Sequence, residues 1–362
     1  MTKISWWRTS FGEAEVERMQ MAVRNEHISA GPVTEALEAE IARALDVPYA
    51  VVTTSGSAAL FLALQAVGVR RGDEVIVPDR TWIATAHAVL LAGAKVVLAD
   101  VRSDIPTLDV ERLKEKITPR TKAILPVHLN GRAVEMDKVH ALAAEHGLRV
   151  VEDACQALFS RDSGCCLGTQ SDAGCFSMSV TKLISTGQGG FAVTKDKAVY
   201  EQMTALRNHG VADYFADRWN QFGFNLKFTD LLASFGLVQL AKAAERVAVL
   251  QAIYEKYRNG LVGLRSVKLL PSRVAAGELP LYAEVLCTER ERLVEFLAAR
   301  DIQTRPVPPN LDISDYIEND GNYPNSRRFA EQGMYLPCGP GQPLENIDRV
   351  IEAVAQFAPR EV

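Results

Sequence analysis

The chain has 362 residues, 48% of them apolar and 23% charged, with 40 Lys and Arg against 45 Asp and Glu for a net charge of −5. That length allows about two domains, and that balance is ordinary for a globular protein with a sizeable core, which excludes a disordered tail or a fibrous repeat. No three consecutive Lys or Arg residues occur, so neither nucleic acid nor an anionic membrane is expected as a partner, although a local pocket can still take an anionic small ligand.

The first twenty residues lack a basic start followed by an apolar core and do not read as a signal peptide. The most apolar stretch, Ala86 to Val101, is broken by Lys95 and Asp100 and is too short to span a bilayer. A cytoplasmic protein is expected. Cys155, Cys165, Cys166, Cys175, Cys287 and Cys338 form no CxxC pair and match no zinc spacing, so they are read as reduced small residues.

From about residue 48, short apolar runs alternate with stretches of helical period. Strands are expected at Pro48–Thr53, Glu74–Pro78, Lys95–Val101, Lys122–His128 and Leu148–Glu152. Helices are expected at Ala58–Val67, Ala84–Leu91, Val110–Ile117 and Met136–His146, with Gly68, Gly93 and Gly147 placed to end three of them. This alternation predicts an α/β layer fold around a largely parallel sheet. Beyond Gly164 come short strands at Cys175–Ser179 and Gly190–Thr194, a helix at Lys197–Arg207 and one long helix from about Thr229 to Leu261. Strand Leu279–Cys287, helix Arg290–Arg300, strand Ile302–Pro306, an irregular Pro/Asn/Asp segment and helix Glu345–Phe357 complete the chain. The change of texture places a boundary near residue 240, giving an α/β unit at 1–240 and a smaller α+β unit at 241–362.

Four short pieces carry candidate chemistry. Ser55-Gly56-Ser57-Ala58 lies between a strand and a helix, where free N–H groups, hydroxyls and a glycine suit a phosphate, or where Ser55 is simply a helix cap. Trp82 follows the next strand, placed either to stack on a ring ligand or to pack. Glu152-Asp153-Ala154-Cys155-Gln156 closes a buried strand, where an acid needs a cationic partner such as a protonated pyridine nitrogen, an arginine or a helix end. Lys182 follows Phe176-Ser177-Met178-Ser179-Val180-Thr181 with no acid nearby, either desolvated and nucleophilic or an ordinary loop lysine.

Order and spacing join these pieces. An Asp at a strand end, followed 29 positions later by a Lys after Phe-Ser, resembles fold-type I pyridoxal-phosphate enzymes. More narrowly, the chain resembles the DegT/DnrJ/EryC1/StrS family of sugar aminotransferases. The matching stretches include Ile28–Pro32, Thr54–Leu60, Gly72–Pro78, Val127–Gly131, Val151–Ala157, Asp172–Ser177, Leu206–Gly210, Gly223–Asn225 and Gly236–Leu240. The resemblance spans about residues 9 to 357. It implies a large domain with a mainly parallel seven-stranded sheet and a smaller α+β C-terminal domain.

By the same resemblance, Lys182 would carry pyridoxal 5'-phosphate covalently and shuttle a proton, with pyridoxamine phosphate formed between half-reactions. Asp153 would pair with the ring nitrogen, Gln156 would contact the ring 3-oxygen, and Trp82 would stack on the ring. Gly56, Ser57 and Ser177 would hold the phosphate, and Asn225 would reach it from the other subunit of a homodimer with shared sites. The implied substrates are a keto-sugar nucleotide, a 4-keto-6-deoxyhexose foremost, and glutamate as amino donor. One branch of the family dehydrates deoxysugars but replaces the lysine by histidine, and a non-catalytic relative would have lost Asp153 or Lys182. Both residues are present here. The chain departs from common family patterns at Met178, Gln188, Leu226-Lys227 and Thr304–Asn310, in regions expected to face substrate.

Overall fold

The computed structural model describes residues 3–211, 218–219, 221–319 and 321–358. Two helices, α1 (Glu13–Arg24) and α2 (Pro32–Leu45), precede the alternating region. That region runs β1 (Tyr49–Thr53), α3 (Gly56–Ala66), β2 (Glu74–Pro78), α4 (Ala84–Leu91), β3 (Lys95–Ala99), β4 (Thr121–Ile124), α5 (Met136–His146) and β5 (Arg149–Asp153). A small hairpin, β6 (Arg161–Asp162) and β7 (Cys165–Cys166), leads to β8 (Ala173–Ser177), β9 (Gly190–Thr194) and α6 (Lys197–Arg207).

Seven strands form one sheet in the order β1-β9-β8-β5-β4-β2-β3. It is parallel from β8 through β3, and β9 runs antiparallel to both its neighbours. All five residues of β2 and the last four of β5 are buried, as strands covered by helices on both faces require. The carboxyl ends of β1, β2, β5 and β8 therefore meet along one edge, where ligands of open α/β sheets bind.

The long helix expected from Thr229 to Leu261 is two helices, α7 (Asp230–Ala241) and α8 (Ala243–Gly260), interrupted at Lys242. The break holds Lys242 and Gln239 on Glu15 of α1, at 3.0 and 2.7 Å, while Arg246 donates to the Ser10 carbonyl. Burial pushes the Glu15 carboxyl up, but bonds from Lys242 and Gln239 prevail and hold it below its ordinary value. The segment Val110–Lys116 is 3-10 helix rather than α-helix. The remaining elements are β10 (Lys268–Leu269), β11 (Ala283–Leu286), α9 (Arg290–Ala298), β12 (Arg305–Pro306), α10 (Pro324–Gln332), β13 (Gly333–Leu336) and α11 (Leu344–Ala355). The Pro/Asn/Asp segment thus contains a helix and a strand. Strands β10-β11-β13-β12 make an antiparallel second sheet.

The turn Leu129–Gly131 plugs the first sheet into the second. Asn130 adopts φ 55° and donates from Nδ2 to the Tyr282 carbonyl at 3.0 Å, while Tyr282 N–H donates back to its Oδ1 at 2.6 Å. Gly131 has φ 76°, and a Cβ there would sit 1.9 Å from the Leu279 carbonyl oxygen. Next to it Arg132 and Glu284 form an ion pair at 2.7 Å, both side chains 1% exposed. Truncating one partner of such a pair costs roughly 3–5 kcal/mol, because the other charge is stranded. The N-terminal arm also crosses onto this second sheet. Ile4 bridges Ile302, Trp7 bridges Cys338, and the Trp7 indole N–H donates to the Val180 carbonyl at 3.0 Å.

Just past β2, Asp79 accepts the Asp312 N–H at 2.7 Å, while its other oxygen is buried without a partner. Burial, then the neighbouring Asp312 carboxylate, pushes the Asp79 carboxyl up to about 7. The folded state therefore binds a proton that the unfolded chain has released, so this group erodes stability as pH rises from about 4 to about 7. Asp79→Asn should match wild type near pH 3 and gain a few kcal/mol on it by pH 8.5, at about 1.4 kcal/mol per tenfold of proton affinity. Denaturation midpoints at the two pH values check this. A pH-independent difference would remove the assignment.

Candidate active site

The sheet edge opens into a cavity of about 330 Å³ lined by seven of the eight residues singled out in the sequence: Gly56, Ser57, Trp82, Asp153, Gln156, Ser177 and Lys182. Asn225 does not line it. That residue is exposed and bridges Asn208 on an irregular strip beside α6.

Each side chain is set by its element. Ser55 caps α3 by accepting the Ala58 N–H at 3.1 Å, so it is a helix cap as well as a cavity residue. The N–H groups of Gly56 and Ser57, in the first turn, have no intrahelical acceptor and carry the positive end of the helix dipole. Strand β9 closes the floor. A Cβ at Gly190 would lie 2.3 Å from the Gly56 nitrogen, and one at Gly56 would lie 2.8 Å from Cys155 Sγ.

The two acids ending β5 separate cleanly. Glu152 is buried, receiving His128 Nε2–H at 2.9 Å and the N–H groups of Gly168 and Gln170 at 2.7 and 2.8 Å. Val134 N–H donates to His128 Nδ1, which places the ring proton on Nε2. Burial raises the Glu152 carboxyl, but His128 and the backbone bonds outweigh it and hold it below its usual value. Asp153 instead faces the cavity. It accepts the Thr85 hydroxyl at 2.8 Å and the Cys155 N–H at 3.1 Å, and no cation pairs with it among the described residues. A buried carboxylate with only neutral donors has room for a cationic partner. Burial first, then the Asp153 charge, pushes the Cys155 thiol well up, so Cys155 stays protonated.

Lys182 sits in a loop pinned at several points. Its N–H donates to the Ser179 carbonyl at 3.0 Å, Thr186 N–H donates to the Met178 carbonyl at 3.0 Å, and Tyr282 donates its hydroxyl to the Thr181 carbonyl at 3.0 Å. The side chain is half-buried, and no acid among the described residues pairs with it. Gln156 accepts the Asn130 N–H at 3.0 Å through Oε1, which leaves its NH₂ free to donate into the cavity. Trp82 is 48% exposed, far too open for a packing tryptophan, and presents its ring to the cavity. The group these donors fit is a phosphorylated, protonated aromatic ring. Free helix N–H groups and hydroxyls would face the phosphate, a carboxylate the ring nitrogen and an indole the ring face, with an unpaired lysine beside it.

Of the cavity's far wall, only the segment Thr304–Asn310 was expected from the sequence to face substrate; Trp6, Tyr282 and Tyr335 were not. The wall comprises Trp6 from the N-terminal arm, with Tyr282, Arg305, Pro308 and Tyr335 from the second sheet and its loops. Among the departures from family patterns, Gln188 and two residues of Thr304–Asn310 line the cavity, whereas Met178 is buried in the core.

Fold and site together define a PLP-dependent aminotransferase of fold type I. The model of the DegT/DnrJ/EryC1/StrS aminotransferase family matches residues 9–355. The dTDP-3-amino-3,4,6-trideoxy-alpha-D-glucose transaminase of Streptomyces venezuelae is 36% identical over 336 residues, covering 91% of this chain and 88% of the relative. The GDP-perosamine synthase of Escherichia coli O157:H7 is 33% identical, covering 91% of each. The crystal structure of DesV from Streptomyces venezuelae, in complex with a ketimine intermediate, superposes with a TM-score of 0.90 at 33% identity and 95% coverage of both chains. The chain belongs to the DegT/DnrJ/EryC1/StrS aminotransferase family.

Proposed function

We propose that this enzyme transfers an amino group from glutamate to a nucleotide-linked keto sugar, with a 4-keto-6-deoxyhexose as the acceptor. The carrying observation is the convergence of Asp153, Lys182, Trp82, Gln156 and the α3 N-terminus on one cavity. Relatives on dTDP- and GDP-linked sugars support a nucleotide-linked acceptor, and the presence of Lys182 favours amino transfer over dehydration.

Pyridoxal phosphate, held by these residues, would supply the electron sink that lets a proton leave the substrate carbon. Lys182 holds the cofactor and moves that proton as base and acid. Asp153 keeps the ring nitrogen protonated, and Gln156 donates its amide N–H to the ring 3-oxygen. Trp82 fixes the ring plane, and the Gly56 and Ser57 N–H groups with the Ser57 and Ser177 hydroxyls bind the phosphate. In this reading residues 1–240 hold the cofactor and 241–362 form the smaller unit. No helix among the described residues is long and apolar enough to cross a membrane. All six cysteines are free thiols, in keeping with a cytoplasmic enzyme. A panel of keto-sugar nucleotides with glutamate, read by mass spectrometry, tests the reaction. Absence of any aminated sugar overturns it.

The active unit in this reading is a homodimer in which Asn225 reaches the partner's phosphate site. Its exposure and its absence from the cavity of its own chain support that role over a purely local turn. Mixing Lys182→Ala subunits with Asn225→Asp subunits, each inactive alone, should restore activity. Shared sites put both defects in one site and leave the other intact. If exchange is verified and activity stays absent, Asn225 acts within its own chain.

A further inference from the structure

Among the described residues, three charged side chains line the cavity: Asp153, Lys182 and Arg305. On the function proposed above, Asp153 faces the ring nitrogen and Lys182 is taken up in holding the cofactor. Both substrates are anionic, one a dicarboxylate and the other a sugar diphosphate. Among the described residues of the lining, Arg305 is left to meet their charge.

Its setting fits that task. Arg305 lies on β12, in register with Tyr335 of β13, and its guanidinium stacks over the Trp6 ring with Cζ 4.9 Å from the centroid. Trp6 is held in turn by Tyr335 and Tyr282, at ring separations of 6.3 and 6.1 Å. The contact with the ring restrains the guanidinium, and no hydrogen bond or ion pair to another described residue occupies its N–H groups, which could then grip a carboxylate or phosphate. No carboxylate among the described residues pairs with Arg305. The neighbouring buried arginines are engaged elsewhere, Arg80 with the Pro308 carbonyl at 2.6 Å and Arg132 with Glu284. Arg305 is thus a half-buried arginine with no counter-ion among the described residues, standing on the wall of a site for anionic substrates.

We propose that Arg305 binds an oxyanion of the substrates, either a carboxylate of the amino donor or a phosphate of the nucleotide. This rests on the function proposed above. A charge-assisted bond of this kind corresponds to about 10- to 100-fold in affinity.

Wild-type holoenzyme, Arg305→Gln and Arg305→Lys are to be compared in two titrations. L-Glutamate is followed by the change in cofactor absorbance with no sugar present, and dTDP and GDP are followed by calorimetry without turnover. Arg305→Gln should weaken at least one titration by about tenfold or more, with Arg305→Lys recovering part of the loss. Weakening for glutamate assigns the carboxylate, and weakening for the nucleoside diphosphates assigns the phosphate. Dissociation constants within twofold of wild type in both titrations overturn the proposal. So does equal weakening in Arg305→Lys and Arg305→Gln accompanied by a lowered melting temperature, which marks a structural role. If no keto-sugar nucleotide is aminated by wild type, the proposed function fails, while the glutamate titration still decides Arg305.

Discussion

Lys182→Ala should lose the covalent link to the cofactor and slow amino transfer by about four orders of magnitude, the upper range for removing a positioned acid and base. Wild-type protein should be yellow, with a band that borohydride abolishes by fixing the cofactor to the peptide containing residue 182. The loop is held by backbone bonds at Ser179 and Thr186 and by the Tyr282 hydroxyl, none of which uses the lysine side chain. The variant should therefore fold normally, which separates lost chemistry from lost structure. Recovery of the cofactor on Lys195, which is exposed, or on Lys227, which bridges Thr53 at the sheet edge, would refute the assignment.

Asp153→Asn should reduce the rate by about 10²–10³ while the cofactor still binds. The groups proposed to hold the phosphate lie on α3 and β8, and the hydrogen bonds that orient Asp153 come from Thr85 and the Cys155 N–H. An amide keeps much of that geometry but removes the negative charge opposite the ring nitrogen, so the nitrogen loses its proton and the ring its pull on electrons. Bound cofactor measured by absorbance, alongside the rate of each half-reaction, separates the two effects. Near-normal half-reactions would remove Asp153 from this role.

The residues at the sheet's carboxyl edge were legible because periodicity locates strands and helices and their junctions are local. Glu74–Pro78, Ala84–Leu91 and Met136–His146 have the bounds their apolar spacing predicts. The division of labour between Glu152 and Asp153 follows from strand alternation, which turns neighbours to opposite faces. Only the structure shows that His128 waits on Glu152's side. The break at Lys242 has no Pro or Gly to announce it and depends on Glu15, more than two hundred positions away. The α10 helix carried a signal in Pro324 at its first position, obscured by the polar residues around it. The Thr304–Asn310 segment was expected to face substrate, but Trp6, Tyr282 and Tyr335 join Arg305 in one wall only after distant segments pack, and nothing local marks those three.

The arm at residues 4–7 also bears on how the molecule is made. Its partners, Ile302 and Cys338, lie about three hundred positions later in the chain, so the arm stays unplaced until they have been made. Contacts of such span are late and slow to form. The α/β sheet around β1 to β9 can close beforehand, because every strand in it lies before residue 195. The cofactor-facing side of the cavity thus matures first, and Trp6 completes the opposite wall last. A bulky insertion just before residue 4 would burden this docking step, whereas α11 contributes no residue to the cavity. Refolding followed by Trp6 fluorescence should therefore lag refolding followed by the sheet.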